Sequence, residues 1–133
     1  MAKEKVICDT DVMIEYWDKT KLRHATAQSI IENLIELDNV VLSAITKMEL
    51  MPGAVNKTDM AKITKQLSRF NIALLNSDIT LQAFDLLENY RLSHGLSLPD
   101  SIIAATALVT DLELYTYNTK DFKFIPQLKL YTP

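Results

Sequence analysis

Four carboxylates stand at the edges of apolar stretches: Asp9 in VICDTDVMI, Glu49 in ITKMEL, Asp100 in LPDSIIAATAL and Asp121 in YTYNTKDF. Asp9 follows a short strand-like run, Asp100 opens an alanine-rich helix, and Asp121 follows another strand-like run. In an α/β fold with a parallel sheet such positions gather at one rim, because ligands bind outside the carboxyl ends of the strands. Acids gathered there repel one another: two unit charges at ~4 Å cost about 4 kcal/mol at an effective dielectric of about 20. The cluster therefore needs raised pKa values or a cation, and an all-oxygen set of ligands suits Mg²⁺ or Mn²⁺.

The smaller signals around these acids have plain structural readings beside the functional ones. Asp9 and Asp11 flank Thr10 where the first strand gives way to a helix. A carboxylate there can cap the helix, and that reading suits Asp11 better than Asp9, which follows VIC with little room to swing into solvent. Glu49 lies one turn from Thr46 on the same helical face; alone, it reads as the wet side of a short helix. Asp100 follows Pro99 in a first helical turn, where the dipole favours a carboxylate. Ile103, Ala104, Ala107 and Leu108 continue its face, and the alanines permit close packing on a sheet. Thr10, Thr116 and Asn118 could position a water, a phosphate oxygen or one of the acids. His24 and His94, the two histidines, read as helix-end surface residues.

The elements that must position these residues alternate along the chain. Strands are expected at 5–8, 40–42, 72–75 and 112–116, with a weak fifth at 128–131. Helices are expected at 11–17, 26–37, 44–51, 58–69, 79–94 and from Pro99 to about 109, by apolar spacing. Ser43 and Asp78 read as N-caps, and Gly95 sits where a helix C-terminus favours positive φ. Such alternation gives a parallel sheet covered on both faces, with right-handed crossovers. The chain has only two glycines, and neither GxGxxG nor GxxxxGK[ST] occurs, so dinucleotide and P-loop chemistry lose their support.

Composition bounds the rest. A chain of 133 residues, 48% hydrophobic, reads as one domain over 1–133 with enough apolar material for a core. The single cysteine, Cys8, lies within the first strand and reads as a buried structural thiol; no intrachain disulfide is possible, which fits a reducing cytoplasm. The start MAKEKVICD does not read as a signal peptide, and no apolar run approaches the ~18–20 residues that span a bilayer. A net charge of −3 and a pI near 5.3 argue against a basic nucleic-acid coat protein. Basic residues nevertheless group locally: Lys19, Lys21, Arg23 and His24; Lys57, Lys62, Lys65 and Arg69; Lys120 and Lys123. These read as solvated faces, with a phosphate backbone as the functional alternative.

Taken together, in this order, the motifs resemble the PIN-domain family of metal-dependent nucleases, and within it the small VapC-type toxins of toxin–antitoxin pairs. The resemblance rests on DTDVMI (9–14), T-x-x-E-L (46–50), LPD-x-x-IAATAL (98–108) and T-x-N-x-x-D-F (116–122), and covers nearly the whole chain. Carried over by position, the family's acidic residues fall on Asp9, Glu49, Asp100 and Asp121, and its polar helpers on Thr116 and Asn118. Asp11 stands where the family often has Asn or Ser, which leaves open whether it is a metal contact or a helix cap. The resemblance implies a three-layer α/β/α PIN-like fold with a central parallel sheet of four to five strands. It also implies a Mg²⁺- or Mn²⁺-dependent endoribonuclease, a homodimer, and a cognate antitoxin that holds it inactive.

Two other readings fit parts of the chain. A haloacid-dehalogenase-type phosphatase also carries D-x-D after an apolar strand, but Met13 occupies the place of its small hydroxyl residue, and a late paired-acid motif is missing. A catalytically silent PIN-like binding module would have no reason to keep all four acids.

Overall fold

The apolar runs become the strands of one parallel sheet. In the computed structural model, which describes residues 3–133, β1 is Val6–Cys8, β2 is Val40–Ser43, β3 is Asn71–Ala73 and β4 is Glu113–Tyr115. The strand order is β3-β2-β1-β4, with every pairing parallel. β1 and β2 are buried along their whole length, as interior strands must be when helices cover both faces of a parallel sheet. β3 forms an edge and is partly exposed. The first three strands step outwards in one direction, and β4 returns to the other side of β1. The point where the order reverses, between β1 and β4, is where such sheets open a binding crevice.

Side chains alternate across the sheet and divide the core in two. Ile7, Val41 and Leu114 pack with Leu86, Ile103, Ala104 and Phe122, under α5 (Ser77–His94) and α6 (Leu98–Thr110). Val6, Cys8, Val40, Leu42 and Tyr115 pack with Val12, Met13, Ile31, Leu67 and Phe70, under α1 (Thr10–Trp17), α2 (His24–Ser29) and α4 (Lys57–Leu67). The result is the expected three-layer α/β/α arrangement. Each large side chain sealed between layers, such as Phe122 or Ile103, contributes roughly 1.5–3 kcal/mol through burial. A short helix, α3 (Ala44–Leu50), follows β2 directly, with the Ser43 hydroxyl accepting from the Ile45 N–H at 3.3 Å.

Local departures from the sequence reading have local causes. The expected fifth strand at 128–131 shrinks to one parallel bridge between Leu114 and Leu130. The helix expected over 26–37 begins at His24, and from Ile30 to Ile35 it widens to a π-helix before Glu36 breaks it at φ 75°. The wider turn keeps Ile31 and Ile35 inside but leaves Leu34 50% exposed. The cap of α5 is Asn76, whose side chain accepts from the Ile79 N–H, and not Asp78, which falls inside the first turn. Gly95 ends that helix at φ 69°, as its position required. Among the described residues no helix is long and apolar enough to cross a membrane.

Candidate active site

Asp9 is placed by the sheet itself. Its N–H donates to the Tyr115 carbonyl at 2.9 Å, extending the β1–β4 ladder by one bond beyond the strand. The backbone then turns into α1, and the carboxylate becomes the helix cap: Oδ1 accepts from the Thr10 N–H at 2.7 Å. The sequence reading favoured Asp11 for this role, and the structure corrects it, because the chain leaves extended geometry at Asp9 and not at Thr10. Oδ2 of Asp9 accepts from the Thr116 hydroxyl at 2.8 Å. Only 5% of the residue is exposed. Burial first, and then the charge of Asp11, push its carboxyl up to about 7, against the pull of the Thr116 hydrogen bond.

Asp11 holds the loop after β4. Its Oδ2 accepts from the Tyr117 N–H at 3.1 Å and from Asn118 Nδ2 at 3.2 Å. Asn118 is fixed a second time, its own N–H donating to the Thr116 hydroxyl oxygen at 3.1 Å. The other oxygen, Oδ1, is buried and has no partner among the described residues. A buried carboxylate oxygen without a donor costs on the order of 1–3 kcal/mol, so its retention needs a reason. Burial raises the Asp11 carboxyl above the ordinary range, and the Tyr117 N–H opposes the rise.

Glu49 reaches the site from α3. The Thr10 hydroxyl lies 2.8 Å from Glu49 Oε1 and 2.9 Å from the Thr46 hydroxyl. A carboxylate only accepts, so the Thr10 proton points to Glu49, and the Thr46 hydroxyl completes the pair. The helical spacing of Thr46 and Glu49 thus has a use: both meet Thr10. Asp100 enters from the first turn of α6, where the Ser97 hydroxyl caps the helix by accepting from the Asp100 N–H at 3.2 Å. Burial, followed by the charge of Asp9, pushes its carboxyl up to about 6, with Asp121 and Glu49 adding to the repulsion and the Ser97 hydrogen bond opposing it. Asp121 ends a 3₁₀ turn, Thr119–Asp121, and is exposed. The next residue, Phe122, is wholly buried and anchors that turn to the core.

The five acids therefore lie at one rim, where Asp11 and Glu49 act on Asp9, Asp100 acts on Asp11, and Asp9, Asp121 and Glu49 act on Asp100. Among the described residues no three His, Cys, Asp or Glu side chains converge closely enough to chelate an ion unaided. A hard cation here would take one or two carboxylates and keep waters in its remaining positions, as Mg²⁺ ordinarily does. The all-oxygen donors, the raised Asp9 and Asp100 and the orphaned Asp11 oxygen fit such an ion.

Sequence reasoning passed over Ser97, although S-x-x-D with Pro99 between is a legible helix start. It also passed over the Tyr117 N–H, for which the sequence offers no signal. The two histidines are engaged elsewhere: His24 Nδ1 lies 2.9 Å from the Glu15 carbonyl, and His94 stacks on Phe124 with centroids 4.1 Å apart. Cys8 is buried, and burial raises its thiol far above the usual range. A cleft of about 370 Å³ beside α5 and the end of α6, lined by Asp85, Tyr90, Asp111 and Gln127, contains none of the acids discussed above.

Comparison with known proteins gives this geometry a context. The PIN domain family model matches residues 6–126. Ribonuclease VapC19 of Mycobacterium tuberculosis is 29% identical over 124 residues, covering 92% of this chain and 96% of that protein. Ribonuclease VapC10 of the same organism is 33% identical over 91 residues, covering 68% of each. A chain from a toxin–antitoxin complex of Klebsiella pneumoniae superposes with a TM-score of 0.73 at 33% identity, covering 93% of this chain and 95% of that one.

Proposed function

Because the chain belongs to the PIN-domain family and its VapC-type branch, we propose that it is the ribonuclease toxin of a toxin–antitoxin pair, hydrolysing RNA phosphodiester bonds with Mg²⁺ or Mn²⁺. The observation that carries this reading is the electrostatics of the rim. Asp9 and Asp100 come from distant parts of the sequence, and both carboxyls are raised, first by burial and then by neighbouring acids. Asp11 and Glu49 act on Asp9, and Asp9, Asp121 and Glu49 act on Asp100; a divalent cation would offset that charge.

A bound divalent ion would supply Lewis acidity to the phosphodiester and lower the pKa of an attacking water. Asp9 and Asp100 would hold it, with Glu49 and Asp121 contacting it directly or through water, and the unpartnered Asp11 Oδ1 would be a further contact. The chain's own contribution is preorganisation. Thr116 and the Thr10 N–H hold Asp9 in one rotamer, Thr10 and Thr46 orient Glu49, and Asn118 tethers the loop that carries Asp121. His24 Nδ1 is engaged by the Glu15 carbonyl and His94 stacks on Phe124, which argues against a histidine acid–base pair for the 2′-OH route. RNA single strands or loops are the substrate class, since their bases can be splayed and read.

The partners follow from the same reading. A cognate antitoxin holds the toxin inactive in the cytoplasm, and two copies of the chain form a homodimer. The face we assign to the dimer is an apolar cleft of about 190 Å³ between α5 and α6, lined by Leu75, Ile79, Thr80, Ala83, Phe84, Leu87, Leu98 and Ile102, of which Leu75, Phe84 and Leu98 are exposed. An apolar patch of this kind marks an interaction face. The phosphatase reading finds no support in the family match. The purified protein, freed of antitoxin, should cut RNA when Mg²⁺ or Mn²⁺ is present and stop in excess EDTA; undiminished cutting in EDTA would refute the metal dependence.

A further inference from the structure

The basic group at 19–24 meets the acidic rim at one residue. Arg23 lies with its guanidinium carbon 4.5 Å from the centroid of the Tyr117 ring. Tyr117 is itself tied to the site through its N–H, which donates to Asp11 Oδ2. On the other side Arg23 is held by Glu15: its backbone N–H donates to Oε1 at 3.1 Å, and Nη1 reaches Oε2 at 3.5 Å. A guanidinium carries five N–H donors in one plane. Glu15 occupies one of them at long range, and the Arg23 side chain stays 55% exposed while that of Glu15 is only 14% exposed. The aromatic face and the carboxylate fix the orientation, and the remaining donors meet no acceptor among the described residues.

A cation beside so many acids would ordinarily pair with one of them. Arg23 pairs with Glu15 instead, outside the cluster, and acts on Asp11 only through its field, opposing the rise that burial imposes. Both partners are thereby left with free valence: Asp11 keeps an unpartnered oxygen, and Arg23 keeps its donors. An acidic rim repels a polyanion, so a strand crossing it needs a fixed positive charge at the edge. A planar fork of N–H groups is the geometry that matches a phosphate bidentately.

We propose that Arg23, held on the ring of Tyr117, binds a backbone phosphate of the RNA strand that crosses the acidic rim, and so sets which phosphodiester reaches Asp9 and Asp100. This rests on the nuclease reading above and adds a substrate contact to it. The residue touches substrate and takes no part in bond making. Its loss should therefore fall on binding and on the choice of cleavage position.

The test measures binding and cutting separately. A fluorescein-labelled single-stranded RNA of mixed sequence is titrated against the Asp100→Asn protein, with and without Arg23→Ala, Arg23→Lys or Arg23→Met, across a range of salt concentrations. Arg23→Ala and Arg23→Met should weaken binding about tenfold and reduce the slope of log affinity against log salt by about 0.7, the value of one single-strand phosphate. Arg23→Lys should restore the slope, because it keeps the charge, and recover only part of the affinity. With Asp100 intact, Arg23→Ala should raise KM with little change in kcat. An unchanged affinity and slope in Arg23→Ala, or a loss explained by a lowered Tm that Arg23→Met repairs, would overturn the assignment. Absence of cleavage by the protein with every site residue intact would instead overturn the nuclease reading, while the binding titration would still decide Arg23.

Discussion

The hydroxyl of Thr116 donates to Oδ2 of Asp9 at 2.8 Å, joining the ends of β4 and β1 across 107 positions of sequence. The bond favours the charged form of a carboxyl that burial otherwise pushes up to about 7. Thr116→Val should remove it, cost about 1–3 kcal/mol of stability and weaken Mn²⁺ binding at neutral pH. Because the loss raises the Asp9 pKa further, Mn²⁺ affinity in Thr116→Val should recover as pH is raised. Thr116→Ser should behave like the parent protein. Calorimetric Mn²⁺ titration at several pH values reads this directly, and equal affinity for the valine and serine variants would contradict it.

Asp9 and Asp100 give the ion-free protein an unusual pH dependence. Their folded-state pKa values stand above the ordinary 3.8, at about 7 and about 6. The folded protein therefore holds protons that the unfolded chain has released, and stability falls as pH rises from about 4 through about 7. Without metal, Asp100→Asn should lose less stability than the parent over that window, and saturating Mg²⁺ should erase the difference. Thermal melts of both proteins in EDTA and in Mg²⁺ check the sign; a parent protein that gains stability over Asp100→Asn as pH rises in EDTA would contradict it.

Asp11 is the residue whose role the structure changes most. As a cap it would tolerate Asn, which caps equally well. The cap is Asp9, and Asp11 instead carries two donors on one oxygen and none on the other. Asp11→Asn should keep the bond to Tyr117 through its remaining carbonyl oxygen, so stability should change by less than about 1 kcal/mol. It should nevertheless lower Mn²⁺ affinity about tenfold, in line with losing a contact at the edge of a metal site. An unchanged Mn²⁺ affinity would leave Asp11 as a loop tether only.

The apolar face of α5 offers a separate check. Phe84→Glu places a charge in the cleft between α5 and α6 and should convert a dimer to a monomer in sedimentation velocity, with Tm little affected because Phe84 is 56% exposed. A parent protein that sediments as a monomer would remove the homodimer from the account.

What could be read from the chain and what could not divides along physical lines. β1 and β2 were legible because strands buried on both faces are continuous apolar runs, VIC and VVL. Asp9 was legible as a candidate because a charge directly after such a run has few other uses. Which of Asp9 and Asp11 caps α1 was not, since both flank Thr10 and either could supply the oxygen; the bond from the Asp9 N–H to Tyr115, a tertiary contact, decides it. Asp78 reads as the cap of α5 although Asn76 fills that role, because both are good capping residues and lie two positions apart. The π-turn at Ile30–Ile35 left no trace, because Ile31 and Ile35 stay inside whether the turn is α or π. Arg23 over Tyr117 brings together two residues that share no sequence pattern, and only the fold makes them neighbours.

The central claim is hydrolysis of RNA by a water that a metal ion activates among these carboxylates, and the chemistry of the cut ends tests it most directly. Displacement of the 3′ oxygen by water leaves a 5′-phosphate and a 3′-hydroxyl. A single 2′-deoxy substitution on the 5′ side of the scissile phosphate should slow cutting without blocking it. Ends mapped by ligation after cleavage with Mg²⁺ should accept adaptors that require 5′-phosphate and 3′-hydroxyl groups. Products ending in 2′,3′-cyclic phosphate, together with a complete block by the 2′-deoxy substitution, would contradict the account even if Asp9 and Asp100 both proved essential.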